Sequence, residues 1–283
     1  DDLELDALWG LLGYAVGSAS PEDVPIVYGL EGVAASMDDL KHFSAAFATT
    51  SAAPLFHLVG HTPEATDVVE NEPLRRRRLS AETLRAAWRS LGGPMPREES
   101  AVDLVAIGSP HASRSDLVDL ARLVEDQVKS PDVRFVVTLG RETLERTDRS
   151  TTRTLEAFGV TLIADTCFCM LREPVVPPKG FALVTNSAKY AHYSPGLTAP
   201  SRVHYATVRG CVTAAITARA PARLPPWLAL GGRSHPRRTF CSSSLSLPTT
   251  LGRRRCHRRA RSSEDFFLRR AALRILCSRL LRP

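Results

Sequence analysis

Apolar residues recur at Leu5, Leu8, Trp9, Leu12 and Val16, a spacing that predicts a helix over residues 3–16 with one face buried. Pro21 and Pro25 interrupt it, and a short apolar run follows at Ile26-Val27-Tyr28. Ser36, with Asp39 three positions on, carries the signature of a helix start. The helix it opens is expected to reach Phe47 through Leu40, Phe43 and Ala46. Leu55 to Val59 reads as a strand ending at Gly60. Pro63 to Arg78 is polar, and its Arg75–Arg78 block suits a solvated loop or a surface anion contact. Ser80 opens another helix through Leu84, Ala87, Trp88 and Leu91, stopped at Gly92-Gly93-Pro94.

From residue 102 strands and helices alternate. Val102–Ile107 predicts a buried strand ending at Gly108. An amphipathic helix over 113–128 places Leu117, Leu120, Ala121, Val124 and Val128 on one face. Strands follow at Val133–Val137, Val160–Ile163, Phe181–Val184 and Val203–Tyr205, with helices predicted over 141–158 and 207–217. This alternation across short loops predicts an α/β fold with a mainly parallel sheet. Ligands of such sheets bind beyond the carboxyl ends of the strands. Three polar segments fall at such ends: Gly108-Ser-Pro-His111, Asp165 to Cys169, and Asn186 to Tyr193.

The net charge of +7 on 283 residues suggests an acidic partner, until it is divided along the chain. Residues 219–283 hold sixteen Arg, no Lys and two acids, a balance of +14, which leaves −7 for residues 1–218. The basic character therefore belongs to the tail. Arginine without lysine is unusual for a nucleic-acid-binding arm and suits a GC-rich reading frame never selected as protein, so the tail is expected to be disordered or not genuine coding sequence. The six cysteines also divide, three in the body and three in the tail. With a large core available and no secretory signal, free thiols in a reducing, cytoplasmic compartment are the expectation. No apolar run approaches the ~18 residues that span a bilayer. The chain begins Asp1-Asp2 without Met and reads as cut.

Cys167 and Cys169 lie one residue apart at a strand end, where thiolates can converge on iron with a third ligand from elsewhere. Such cysteines are also common as small buried hydrophobes. Cys211, four residues into a predicted helix, is a core residue by itself and a candidate third ligand beside Cys167. His111 can bind a carboxylate or shuttle a proton, or simply enter a helix. Asp165 can orient a ligand or cap a turn. Asn186, Ser187, Lys189, Tyr190, His192 and Tyr193 crowd six hydrogen-bonding side chains into eight residues, more than a surface turn requires. Lys189 and His192 there can hold an anionic substrate and stabilise developing charge.

These segments carry a resemblance. Gly108-Ser-Pro-His111, Asp165-Thr-Cys-Phe-Cys-Met170, the run Thr185 to Gly196 and Cys211-Val212 resemble the catalytic domain of the aconitase X family. That family includes cis-3-hydroxy-L-proline dehydratases and the archaeal phosphomevalonate dehydratase large subunit. Phe56 to Glu64 and the helix from Leu84 to Leu91 are similar too, so the likeness covers roughly residues 3–217.

The resemblance implies an aconitase-like three-layer fold over 1–218 and an iron–sulfur hydro-lyase acting on a small hydroxy acid. It implies cluster ligation by Cys167, Cys169 and Cys211, catalytic roles for His111, Lys189 and His192, and substrate contacts from Ser109, Asn186, Ser187 and Tyr190. Ser109 stands where archaeal relatives carry cysteine, which favours the hydroxyproline branch over a phosphomevalonate dehydratase. The family also has a segment before the part seen here. A small swivelling domain or subunit supplies its base, a serine, and neither is recognisable in this chain. The competing expectation is an inert α/β domain whose tail contacts nucleic acid; no membrane association is expected.

Overall fold

The structure is a computed structural model that describes residues 5–66, 76–92, 100–221 and 223–229. The expectations for Arg75, the 93–94 helix stop and most of the basic tail therefore lie outside the described residues.

Five parallel strands form the central sheet in the order β5-β4-β3-β6-β7. They are β3 (Leu104–Ala112), β4 (Arg134–Leu139), β5 (Val160–Ala164), β6 (Ala182–Thr185) and β7 (Arg202–Tyr205). Strand side chains alternate between faces, so the sheet builds two cores. Val105, Ile107, Phe135 and Val137 pack under α4 (Arg114–Val124), α6 (Arg149–Phe158) and α8 (Val208–Thr217). Leu104, Ala106, Val136 and Leu183 face the other way, towards Phe168, Phe181 and Tyr190 of α7 (Ala188–Leu197). Beyond α7 lies a third core, made by α1 (Asp6–Ala19), α2 (Met37–Thr50), α3 (Ala81–Gly92) and a small parallel pair, β1 (Ile26–Val27) with β2 (His57–Leu58).

Helix boundaries follow local chemistry. Ser36 caps α2 in a full capping box with Asp39, as its spacing predicts. Ser113 and Asp116 do the same for α4. That helix stops at Val124, so Val128, expected on the buried face, is 82% exposed. The helix expected over 141–158 is two, α5 (Arg141–Arg146) and α6, separated at Thr147-Asp148.

The largest departure is at Gly108, expected to end its strand. β3 continues to Ala112, but its register with β4 breaks between Ile107 and Ala112. Gly108 makes the break possible, because its φ is +107° and a Cβ there would sit 2.1 Å from the Thr138 carbonyl oxygen. Thr138 Oγ1 donates to the Gly108 carbonyl at 2.7 Å and closes the irregularity.

Candidate active site

The chain runs outward from β3 through β4 to β5, then returns to place β6 on the other side of β3. α4, which follows β3, packs on one face of the sheet, whereas α7, which follows β6, packs on the other. The connections diverge at this point, which in sheets of this kind is where ligands bind beyond the strand ends.

All three polar segments meet beyond these strand ends. Ser187 donates its hydroxyl to the Ser109 carbonyl, joining the ends of β6 and β3. His111 Nε2 lies 2.7 Å from the Thr166 carbonyl oxygen, joining β3 to the thiol loop. A carbonyl only accepts, so Nε2 carries the proton and a neutral ring keeps Nδ1 as its open acceptor. The Phe168 and Tyr190 rings pack at 4.6 Å, and the Lys189 ammonium acts electrostatically on Cys169. The bridge reaches α2 as well: Lys41 Nζ donates to the His111 carbonyl at 3.0 Å and pairs with Asp38 at 2.7 Å and Asp116 at 3.5 Å. Burial opposes ionisation of Asp38, but hydrogen bonds from Lys41, Ser113 and Ser115 outweigh it and hold its pKa at about 2.

The expected site residues divide into framework and accessible groups. Ser187 is 1% exposed and caps α7 by accepting from the Tyr190 N–H at 2.9 Å. Tyr190 is fully buried, with its hydroxyl 2.9 Å from Thr198 Oγ1, and burial pushes its pKa up. In this conformation both side chains are spent on the framework that carries the site. Ser109 and Asn186 are nearly closed off at its back, and Asn186 Oδ1 is buried without a hydrogen-bond partner. Facing outward are His111, Cys167 and His192, with Lys189 and Cys169 half-buried. His192, one turn beyond Lys189 on α7, has Nδ1 3.3 Å from the Tyr14 hydroxyl.

Cys211 packs apart from the other two cysteines. It is fully buried on α8 in the core beneath the sheet, whereas Cys169 packs against the core on the opposite face. Burial drives the Cys211 thiol pKa well up, which suits a neutral core residue. Cys167 and Cys169 do stand together; burial and the neighbouring Cys167 push the Cys169 thiol up to about 11. They supply two soft donors of the kind an iron–sulfur cluster takes. Among the described residues no group of three His, Cys, Asp or Glu completes a metal site. The pair fits the chemistry of such a cofactor, but the described residues do not make a full ligand set.

Sequence reasoning missed Lys41 and Arg141. Arg141 donates through Nε to Asp165 Oδ2 and through its backbone N–H to Oδ1, both at 2.7 Å. Neither residue belongs to a motif, and only the fold brings each to the strand ends.

Comparison with known proteins supports the fold. Residues 1–89 match the aconitase X second domain and residues 102–217 the aconitase X third domain. The chain is 43% identical over 228 residues to a cis-3-hydroxy-L-proline dehydratase of Pseudomonas aeruginosa, covering 79% of this chain and 39% of the relative. A second dehydratase of that name, from Hypocrea jecorina, is 40% identical over 79% of this chain and 38% of its own length. The phosphomevalonate dehydratase large subunit of Methanosarcina mazei is 30% identical over 73% and 48% of the two chains. The chain thus spans about two fifths of the length of the hydroxyproline dehydratases it matches. The crystal structure of Thermococcus kodakaraensis aconitase X, in its holo-form, superimposes with a TM-score of 0.61 at 23% identity, covering 74% of this chain and 52% of that one. It shares the fold. The chain belongs to the aconitase X family.

Proposed function

We propose that this chain forms part of a dehydratase that removes water from cis-3-hydroxy-L-proline or a similar small hydroxy acid. The observation that supports this most is the 43% identity to a protein of that activity, over a stretch that includes all three strand-end segments. The phosphomevalonate branch is more distant at 30% identity.

The accessible groups suit the reaction. Lys189, in the first turn of α7, sits at the positive end of a helix and offers its ammonium to a substrate carboxylate. His192, three residues on, shares its face and lines the approach. His111, with Nε2–H committed to Thr166, keeps Nδ1 to accept a hydrogen bond from the substrate. Dehydration also needs a group that draws off the hydroxyl. An iron–sulfur cluster with an open iron site supplies a Lewis acid when bound, and Cys167 and Cys169 would contribute two of its thiolates. Among the described residues no third ligand groups with them, and a small swivelling domain or subunit is the expected source of the base.

Anaerobic expression with iron and sulfide, followed by metal analysis and visible absorbance, tests the cofactor. Bound iron is expected in the intact chain, with loss in Cys167→Ser and Cys169→Ser and retention in Cys211→Ala. Substrate is tested by supplying cis-3-hydroxy-L-proline and phosphomevalonate separately to the chain combined with its small partner. Absence of iron from the intact chain overturns the cofactor assignment, and turnover of phosphomevalonate alone overturns the substrate.

A further inference from the structure

The thiol pair begins two residues after an unusual turn. Asp165 has φ +56°, in the left-handed region that few non-glycine residues adopt, although Asp tolerates it better than most. Its N–H still completes the sheet ladder by donating to the Leu139 carbonyl at 2.9 Å. Both oxygens of its carboxylate are gripped by Arg141, one by the backbone N–H and one by Nε, each at 2.7 Å. The Thr166 carbonyl is pinned at 2.7 Å by His111. The chain is therefore tied to β4, to the start of α5 and to the end of β3 just before Cys167.

The Arg141–Asp165 ion pair is open to solvent, with side chains 70% and 45% exposed. Pairs so exposed add little to the stability of a fold, because water screens them. A two-point grip on one left-handed residue does little for stability here, but it fixes a direction. Without it the left-handed residue is held only through its N–H and the next carbonyl, with nothing on its side chain to fix the turn.

We propose that Arg141 is a positioning residue: through Asp165 it sets the path by which the chain leaves β5 and so holds the Cys167 and Cys169 thiols side by side. This rests on reading the two cysteines as one ligand site, and it assigns to Arg141 a role in that site without any contact to substrate.

A trivalent arsenical reads this geometry directly, because phenylarsine oxide binds two thiols at once and needs no iron. Its affinity for the reduced full chain is measured by titration, with the Cys167→Ser/Cys169→Ser double variant as background. Arg141→Gln is expected to weaken binding by about 3- to 10-fold, since pre-organisation of the pair is lost. Asp165→Asn keeps a residue that tolerates the left-handed turn but removes the ion pair, and is expected to weaken binding by the same factor. The Arg141→Gln/Asp165→Asn double variant should be no weaker than either single one. Melting temperatures within about 2 °C of the parent would mark the effect as local. Parent-like affinity in both single variants, or losses that multiply in the double variant, overturns the proposal. Failure of the parent chain to take up iron overturns the cofactor reading alone, because the arsenical measurement stands without it.

Discussion

Ser187 shows how much of a polar run can be spent on architecture. Its hydroxyl accepts from the Tyr190 N–H and donates to the Ser109 carbonyl, so one side chain starts α7 and fastens β6 to β3. Ser187→Ala is expected to cost about 2 kcal/mol, from a lost cap and a buried carbonyl left unpaired, read as a shift in the urea midpoint. Lys189 is the opposite case. Lys189→Met should leave the midpoint within about 0.5 kcal/mol yet abolish turnover of the assembled enzyme. The sequence shows that Asn186 to Tyr193 is too polar for a turn, but not which members point inward. Helical geometry makes that division, sending Tyr190 to the core and His192 to the surface.

Elements here are placed by close approach as much as by amphipathic pattern. α1 and α2 cross where α1 carries Gly13 and Gly17, and a Cβ at Gly13 would stand 2.2 Å from the Phe43 carbonyl oxygen. Ala is the better helix former by about 1 kcal/mol. Gly13→Ala is nonetheless expected to destabilise by about 1–3 kcal/mol, since backbone oxygen cannot yield as a side chain can; thermal unfolding measures it. The apolar positions of α1 and the Ser36 box of α2 are legible in the sequence, because both depend on neighbours within one or two turns. The continuation of β3 beyond Gly108 is illegible, because it depends on Thr138 of the adjacent strand.

At the scale of the molecule, the two regions that match separate family domains are joined by polar contacts. Asp6 of α1 accepts from the Val208 N–H at 2.5 Å, Tyr205 donates to the Ala7 carbonyl at 2.9 Å, and Lys41 of α2 donates to the His111 carbonyl. Asp6 Oδ1 has no partner, and burial raises the pKa of this carboxyl from its ordinary value to about 7. Between about pH 4 and 7 the folded chain therefore holds a proton that the unfolded chain releases, so stability falls as pH rises through that window. Asp38 works in the other sense: its pKa of about 2 adds stability that is lost only on acidification below about pH 4. Asp6→Asn should flatten the decline, giving a higher melting temperature than the parent at pH 8 and little gain at pH 5. A parallel decline in that variant would remove Asp6 as its cause. Lys41→Met should cost about 0.5–1 kcal/mol, because the contacts it removes from Asp38 and the His111 carbonyl are partly open to water and Asp38 keeps Ser113 and Ser115, read by chemical denaturation.

The sequence by itself determined the alternation of strands and helices, the start signals of α2 and α3, and the chemistry gathered at three strand ends. Each is written in residues close along the chain, where periodicity and capping act. Only the tertiary structure decided which of those residues share a site. Whether a side chain meets a substrate or a core depends on the face of the sheet it occupies, and that is settled by strand order and by where each crossover helix packs. The same physics put Cys211 and Cys169 against cores on opposite faces of the sheet, and it brought Arg141 and Lys41, unremarkable in sequence, to the loop and the strand end they hold.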